Sequence, residues 1–389
     1  MGQRHYGLDW LRIGAFGLLI FYHVGMFFVH WNWHVKTARP LDWVAVPMLA
    51  LSAWRLSLLF LVSGYASRVL FAKSGGVGAF ARNRSARLLI PLLFAMIFLI
   101  APQPWVELRF KHDYPHGFAW FYANDYFDFR MIEGLAVPTW QHLWFVVYLW
   151  VYTILLALVA AAMPVRIAER LGGMLDRLLS SWRVLVLPLL WIALCQAVLF
   201  RGRGHTHGLF DDPQAHVIFL PMFLFGFLLA DAPGIWAAIR RWWRVALVMG
   251  LSGYMVVAGV ELSYPGTDRP PPGVMFAYHL GHSVQAWGTI VALIGAADRF
   301  LNHDWPGRAM LTEAVFPFYI IHQTIIVLVG WWLLPFRLHP LAEFLIMVAV
   351  TAAGCWLFYD VGRRIPWLRP LIGLRAKPAQ SSARSVTSP

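Results

Sequence analysis

The sequence has few cysteines and few charged residues, and both shortages exclude whole classes of protein. Only two of the 389 residues are cysteine, Cys195 and Cys355, and each lies within an apolar run. A disulfide framework or a zinc-type cysteine cluster needs more of them, so we expect two inert core thiols. Charged residues make up 13% of the chain, about half their share in an ordinary soluble domain. Internal repeats and glycine-rich phosphate loops are also missing.

Long apolar runs take the place of charged surface. Hydrophobic residues make up 59% of the chain, and the mean hydropathy is +0.60. A helix needs about 17 to 25 apolar residues to cross a hydrocarbon core about 30 Å thick. The runs predict an all-α integral membrane protein, a bundle of about ten transmembrane helices. Their approximate spans are 8–30, 46–72, 85–101, 141–163, 183–200, 215–231, 243–261, 274–297, 309–333 and 340–361.

The basic residues indicate an orientation rather than a nucleic-acid partner. The chain carries 32 Lys and Arg against 19 Asp and Glu, but they are dispersed among short loops, whereas nucleic-acid binding needs a clustered basic face. Most of them fall on one side of the predicted bundle, and positively charged loops stay in the cytoplasm. This asymmetry predicts that both termini are cytoplasmic.

The chain divides into two predicted regions. Residues 1–362 would form the transmembrane domain, and 363–389 a basic cytoplasmic tail that is disordered towards its end, because "RAKPAQSSARSVTSP" has no apolar periodicity. The first run exceeds twenty residues, contains Arg12 and lacks a small-residue cleavage site, so we interpret it as a retained helix and not a signal peptide. The long outer connection 102–140 is either a functional loop or a solvated cap over the bundle.

Two polar residues stand out in the first run, "LDWLRIGAFGLLIFYHVGMFFVHW". Arg12 and His23 are eleven residues apart, which is about three helical turns and about 16 Å, so they share one face at different depths. A buried arginine costs at least about 2.5 kcal/mol unless it snorkels, pairs or meets water. Structural alternatives remain open: Arg12 could snorkel beside Asp9, and His23 could be a core imidazole bonded to another helix.

Five sequence words together resemble the membrane acyltransferase-3 family. The first is the Arg12 and His23 spacing, with ten residues between the two. The others, in chain order, are "FLVSGYASRVLF", the Arg-x-x-Arg of "NRSARLLIPLLF", "QHLWFVVYLW" and "FPFYIIHQTIIV". The resemblance covers residues 7–360, and "YHVGMFFVHWNWHVK" is most similar to the branch that adds succinyl groups to osmoregulated periplasmic glucans.

The resemblance implies O-acylation: transfer of an acyl group from cytoplasmic acyl-CoA to a hydroxyl of an envelope glycan outside a bacterial inner membrane. The co-substrate would be succinyl-CoA or acetyl-CoA, with no permanently bound cofactor. An imidazole suits this chemistry as general base or nucleophile, so His23 is the candidate catalytic residue. Arg12 would stabilise the thioester oxyanion or pair with the free carboxylate of a succinyl group.

Further candidates follow from the same words. Arg84 and Arg87 would bind the phosphates of the donor, or they would only enforce topology. Ser63 and Tyr65 belong to the word that the resemblance assigns to donor binding, although small residues there also allow close helix approach.

Three residues are candidates on the acceptor side. His142 and His322 would contact the acceptor or orient His23, or serve as interhelical hydrogen-bonding residues. Glu261 would assist the acceptor, with an ordinary interfacial carboxylate as the alternative. His279 and His282 lie three residues apart, but without further ligands they predict a hydrogen-bonding pair and no metal site.

Two other functions remain open from the sequence. Intramembrane charges are typical of transporters as well, although no inverted repeat is visible. A non-catalytic membrane partner of glycan synthesis would also fit. Such a partner would lie in the same membrane beside the same glycan, so only the lack of turnover would distinguish it from an enzyme.

Overall fold

The computed structural model describes residues 5–199, 204–266 and 268–376, and these ranges are overwhelmingly helical. The helices are α1 Tyr6–Met26, α2 Ala45–Lys73, α3 Val77–Phe98, α4 Pro102–Lys111, α5 Phe118–Asn124, α6 Trp144–Ala162, α7 Val165–Leu179, α8 Arg183–Ala193, α9 Pro213–Leu229, α10 Pro233–Ser263, α11 Pro272–Phe300, α12 Arg308–Leu333, α13 Pro340–Arg364 and α14 Leu368–Leu371. A π-helix, Leu194–Leu199, continues α8. The strands β1 Arg130–Ile132 and β2 Leu135–Val137 form one antiparallel hairpin.

Each of the ten apolar runs coincides with a helix within the described ranges. Six helices there are long and apolar enough to cross a membrane, or up to eight if two bent pairs each count as one span. The polar residues of α1 keep it outside that count, and α9 has only 17 residues. The all-α membrane class is therefore confirmed. The number ten and the side of each terminus stay predictions, and the tail 377–389 lies outside the described residues.

The segment 102–140 is a folded unit and not a loop. It contains α4, α5 and the β1–β2 hairpin, in which Arg130 pairs with Val137. These elements share a small apolar cluster of their own, which includes Leu108, Phe121 and Tyr126. Short helices of this kind contain no long apolar run, so the hydropathy pattern did not reveal them.

Two glycines bring α2 and α9 into backbone contact. A Cβ built on Gly64 would lie 1.9 Å from the carbonyl oxygen of Phe223, and one on Gly226 would lie 1.8 Å from that of Leu61. Only glycine allows so close an approach, as is common where membrane helices cross. This contact explains why Gly64 interrupts an apolar run, and it supports a structural role for it.

Ion pairs join the helix ends on the side that the sequence predicts to be cytoplasmic. Arg308, at the start of α12, contacts Asp9 at 2.6 Å and Asp304 at 2.7 Å. Arg240 of α10 contacts Asp298 of α11 at 2.7 Å. Cys195 and Cys355 are free and buried in the bundle, as the sequence analysis predicted.

Candidate active site

A pair of histidines from opposite ends of the sequence forms the centre of the site. His23 lies in the last turn of α1, and His322 lies in the middle of α12, which packs against α1. The Nδ1 atom of His23 is 2.8 Å from the Nε2 atom of His322, and the two rings stack with centroids 5.0 Å apart. The structure therefore joins two of the histidines that the sequence words singled out.

A backbone carbonyl determines how the protons are arranged in this pair. The Nδ1 atom of His322 is 2.7 Å from the carbonyl oxygen of Tyr319, and because a carbonyl can only accept, Nδ1 must carry the proton. The Nε2 atom of a neutral His322 is then an acceptor, so His23 donates through Nδ1–H. This assignment leaves Nε2 of His23 with a free lone pair, and that atom has no hydrogen-bonding partner within residues 5–199, 204–266 and 268–376.

His142 is the third histidine at this centre. Its Nε2–H donates to the carbonyl oxygens of Tyr319 and Ile320 at 3.0 Å and 3.2 Å. Its ring stands perpendicular to that of His322, with centroids 5.1 Å apart. The Nδ1 atom is buried without a partner in the described part of the chain, so it is an unused acceptor.

A large cavity opens on one side of the histidines. It has a volume of about 1180 Å³, and His23, His142 and residues of the 102–140 unit line it. We call it the outer cavity. Its walls include Trp33, which stacks on the His23 ring with centroids 5.3 Å apart, and also Trp140 and Trp144.

A smaller apolar cavity lies along α1 and α12. It has a volume of about 210 Å³, and its lining runs from Ile13, next to Arg12, to His322. Leu19 and Tyr319 line both cavities. The histidine pair therefore lies where the walls of two cavities meet, one of mixed polarity with His23 in its wall and one apolar with His322 in its wall.

Arg12 lies in a group of arginines that are close to one another. Arg84 is close enough to Arg12 and Arg87 to repel both electrostatically, and Arg375 does the same to Arg87. The Nη2 atom of Arg12 donates to the carbonyl oxygen of Thr312 at 3.1 Å. Buried nitrogens of Arg12 and Arg84 lack a partner among the residues that the structure describes. We call Arg12, Arg84, Arg87 and Arg375 the basic cluster, and such a group of cations is suited to phosphate.

The remaining predicted site residues are not brought to the histidines. Ser63 and Tyr65 lie on α2, where Tyr65 packs edge-on against His5 at a centroid distance of 6.1 Å. Glu261 lies on α10 and is an electrostatic neighbour of Tyr278, which lines the outer cavity. Neither Arg12, Ser63, Tyr65 nor Glu261 is among the described residues that line the outer cavity.

His279 and His282 both line the outer cavity. The Nδ1 atom of His282 lies 3.0 Å from the Oε1 atom of Gln196. This contact links α11 to the π-helix after α8, so His282 serves in interhelical hydrogen bonding.

The sequence analysis missed a buried hydrogen-bond network beside His322. His34 lies 2.6 Å from the Oε2 atom of Glu107, and Gln323 donates to His34 at 3.1 Å and to Gln103 at 2.9 Å. Gln103 in turn donates to Thr324 at 2.7 Å. These bonds tie α4 and the segment after α1 to α12, and so hold the wall around the histidine pair.

Arg55 was also missed as a site residue. It lies in the middle of α2, is 3% exposed, and lines the outer cavity. The signal was present, because an arginine in a long apolar run is a functional-site indicator by the same argument that drew attention to Arg12.

The sequence is similar to known proteins over nearly its whole length. A family model described as an acyltransferase domain matches residues 5–360. Curated relatives named glucans biosynthesis protein C, from the Escherichia coli strains HS (O9:H4) and SE11, are each 21% identical over 385 residues, covering 94% of either chain. No solved structure matches the chain.

Proposed function

Because the chain belongs to the acyltransferase-3 family of membrane acyltransferases, we propose that it moves an acyl group from cytoplasmic acyl-CoA to a hydroxyl of a periplasmic glucan, with His23 as base or nucleophile. One observation carries this proposal. The free Nε2 atom of His23 belongs to a histidine pair that lies between the outer cavity and a smaller apolar cavity, whose lining extends along α1 to Ile13, next to Arg12.

The arrangement supports a direct displacement. A thioester is already activated, so the reaction needs a base for the sugar hydroxyl. Nε2 of His23 takes the hydroxyl proton, the sugar oxygen bonds to the thioester carbon, and the carbon–sulfur bond breaks. The proton then passes to the departing thiolate, which leaves as free CoA. His322 stabilises the transient imidazolium by accepting the Nδ1–H bond of His23.

A covalent route uses the same atom. Nε2 of His23 would attack the thioester carbon, CoA would leave, and the sugar hydroxyl would then resolve the acyl-imidazole. Both routes need an unprotonated Nε2, and the hydrogen-bond order through His322 and Tyr319 supports that state.

The donor would enter from the basic cluster. Arg84 and Arg87 would bind the phosphates of succinyl-CoA or acetyl-CoA. The pantetheine arm would then follow the apolar cavity along α1 for about 16 Å, from the level of Arg12 to that of His23. Ser63 and Tyr65 keep the donor-side role that the resemblance implies, although they lie away from the cavity walls.

The acceptor would occupy the outer cavity. Trp33, Trp140 and Trp144 offer aromatic faces on which sugar rings stack, and the free Nδ1 of His142 offers a hydroxyl acceptor. The relatives' name, glucans biosynthesis protein C, supports a glucan as that acceptor. This geometry requires the outer cavity to face the periplasm and the basic cluster the cytoplasm of a bacterial inner membrane.

Glycan analysis tests the proposal. Periplasmic and envelope glycans from a deletion strain are compared by mass spectrometry with those of the strain restored by wild type, His23→Ala or His303→Ala. His303 is an exposed histidine and serves as the matched control. We expect wild type and His303→Ala to restore an acyl substituent and His23→Ala to fail at equal protein level. A carrier or a non-catalytic partner predicts that His23→Ala also restores the acyl substituent. That result would refute the enzymatic role.

A further inference from the structure

Arg55 is a buried cation in the wall of the outer cavity, and its polar atoms are only partly paired. It is 3% exposed in the middle of the 29-residue helix α2. Its Nε and Nη1 atoms are buried, and neither has a hydrogen-bonding partner in the described part of the chain. A charge at membrane depth is costly and marks a functional site unless something compensates it. Its environment therefore decides whether it serves structure or a ligand.

The protein compensates this charge only in part. The guanidinium lies over the ring of Tyr22, with its central carbon 4.0 Å from the ring centroid, which is a cation–π contact. No Asp or Glu of residues 5–199, 204–266 and 268–376 forms an ion pair with Arg55. Arg308, which is equally buried, contrasts with it because Arg308 pairs with both Asp9 and Asp304.

Arg55 is also the arginine nearest the reacting centre in the cavity wall. Its guanidinium carbon is 4.0 Å from the Tyr22 ring, whose centroid is 5.9 Å from that of His23. These two distances place the guanidinium within about 10 Å of the imidazole. Both side chains line the outer cavity, whereas Arg12 is not among the described residues that do.

We propose that Arg55 binds the terminal carboxylate of a dicarboxylic acyl group and thereby makes the enzyme prefer such a donor to acetyl-CoA. The proposal rests on the function proposed above, because it assumes that the acyl carbon lies at His23. A guanidinium is the side chain best suited to a carboxylate. This role replaces the sequence-based hypothesis that Arg12 contacts that carboxylate.

The span between the two residues fits a short diacid. A two-carbon spacer carries the carboxylate about 4 Å beyond the thioester carbon, and in the covalent route Nε2 of His23 approaches that carbon to about 3–3.5 Å. One hydrogen bond from the carboxylate to the guanidinium adds about 3 Å. The three lengths together are about 10 Å, which matches the upper limit on the distance between Arg55 and His23. The guanidinium of Arg55 is charged before the reaction begins, and the carboxylate of the donor can pair with it at that stage. An oxyanion forms only transiently and would leave Arg55 unpaired in the resting complex.

Donor competition tests the assignment. Purified full-length protein in proteoliposomes is assayed for transfer to a neutral glucan from succinyl-CoA, acetyl-CoA and succinamoyl-CoA, the uncharged isostere of succinyl-CoA. We expect wild type to prefer succinyl-CoA at least tenfold over the isostere. Arg55→Gln should lower kcat/KM for succinyl-CoA at least tenfold and change that for acetyl-CoA less than threefold. Arg55→Lys should fall between them, and Arg308→Gln should keep the wild-type preference.

Several results would overturn the assignment. Equal losses for charged and uncharged donors in Arg55→Gln would indicate oxyanion stabilisation or packing. A loss that appears only with a phosphate-bearing glucan would place the anion on the acceptor. If Arg55→Gln fails to fold, the isostere comparison on wild type still decides, since equal use of both donors contradicts the proposal. Absence of all transfer by wild type would instead refute the proposed function itself, and this inference with it.

Discussion

Removing His322 tests the proposed proton arrangement at the site. His322 does not receive the sugar proton in this account; it positions His23 and stabilises the imidazolium through the 2.8 Å contact. A hydrogen bond to a charged group contributes about 1.5–3 kcal/mol, which corresponds to a rate effect of about 10- to 150-fold. His322→Ala should therefore lower kcat by about that factor and leave KM for the donor nearly unchanged. His23→Ala removes the base itself and should lower kcat by about 10²- to 10⁴-fold.

A conservative variant separates positioning from folding. His322→Gln can present an amide oxygen to the Nδ1–H of His23, so it should recover much of the rate that His322→Ala loses. The assay is steady-state acyl-CoA consumption with glucan acceptor, at matched levels of folded protein. If His322→Ala is as fast as wild type, or if His322→Gln recovers none of the lost rate, the assigned direction of the hydrogen bonds is wrong.

Three further predictions concern the donor and the fold. Arg84→Gln should raise KM for acyl-CoA about tenfold through loss of a charge-assisted phosphate contact, while kinetics with an acyl-pantetheine lacking the nucleotide stay unchanged. Gly64→Ala should lower the unfolding temperature sharply, since its Cβ would meet a carbonyl oxygen at 1.9 Å, whereas Gly14→Ala meets nothing within 4 Å and should not. Asp212→Ala should lower the free energy of unfolding by at least about 1 kcal/mol, because the carboxylate caps α9 at the Ala215 N–H and also accepts from the His207 N–H. Burial acts to raise the pKa of Asp212, but bonds from His205 and the Ala215 amide prevail and lower it to about 2, so this difference in stability should persist above about pH 4 and disappear as the pH falls towards 2.

The sequence predicted the elements whose signal is local. Every long apolar run became a helix, because hydropathy over about twenty residues reports directly on burial in lipid or in a bundle. The Arg12 and His23 spacing likewise placed both residues on one helix. Nothing local to His23, however, could show that its partner would be His322, 299 residues later, since that contact depends on how α1 packs against α12.

The elements that sequence reasoning missed are short or depend on tertiary packing. The α4, α5 and β1–β2 unit has no run long enough to register as a membrane segment. Arg55 carried a readable signal, but its pairing with Tyr22 and its missing acidic partner become visible only in three dimensions. Glu261 is the opposite case, a residue that was predicted for the site and does not line the outer cavity. A polar residue at a helix end can be prominent in the sequence and still lie outside the cavity wall.

Thiol release from acyl-CoA by the purified protein measures the central claim most directly. With a glucan acceptor present, wild type and His303→Ala should release CoA and form an acylated glucan at equal rates, and His23→Ala should do both about 10²- to 10⁴-fold more slowly. CoA release and glucan acylation by His23→Ala at the wild-type rate would contradict the claim that this imidazole carries out the transfer.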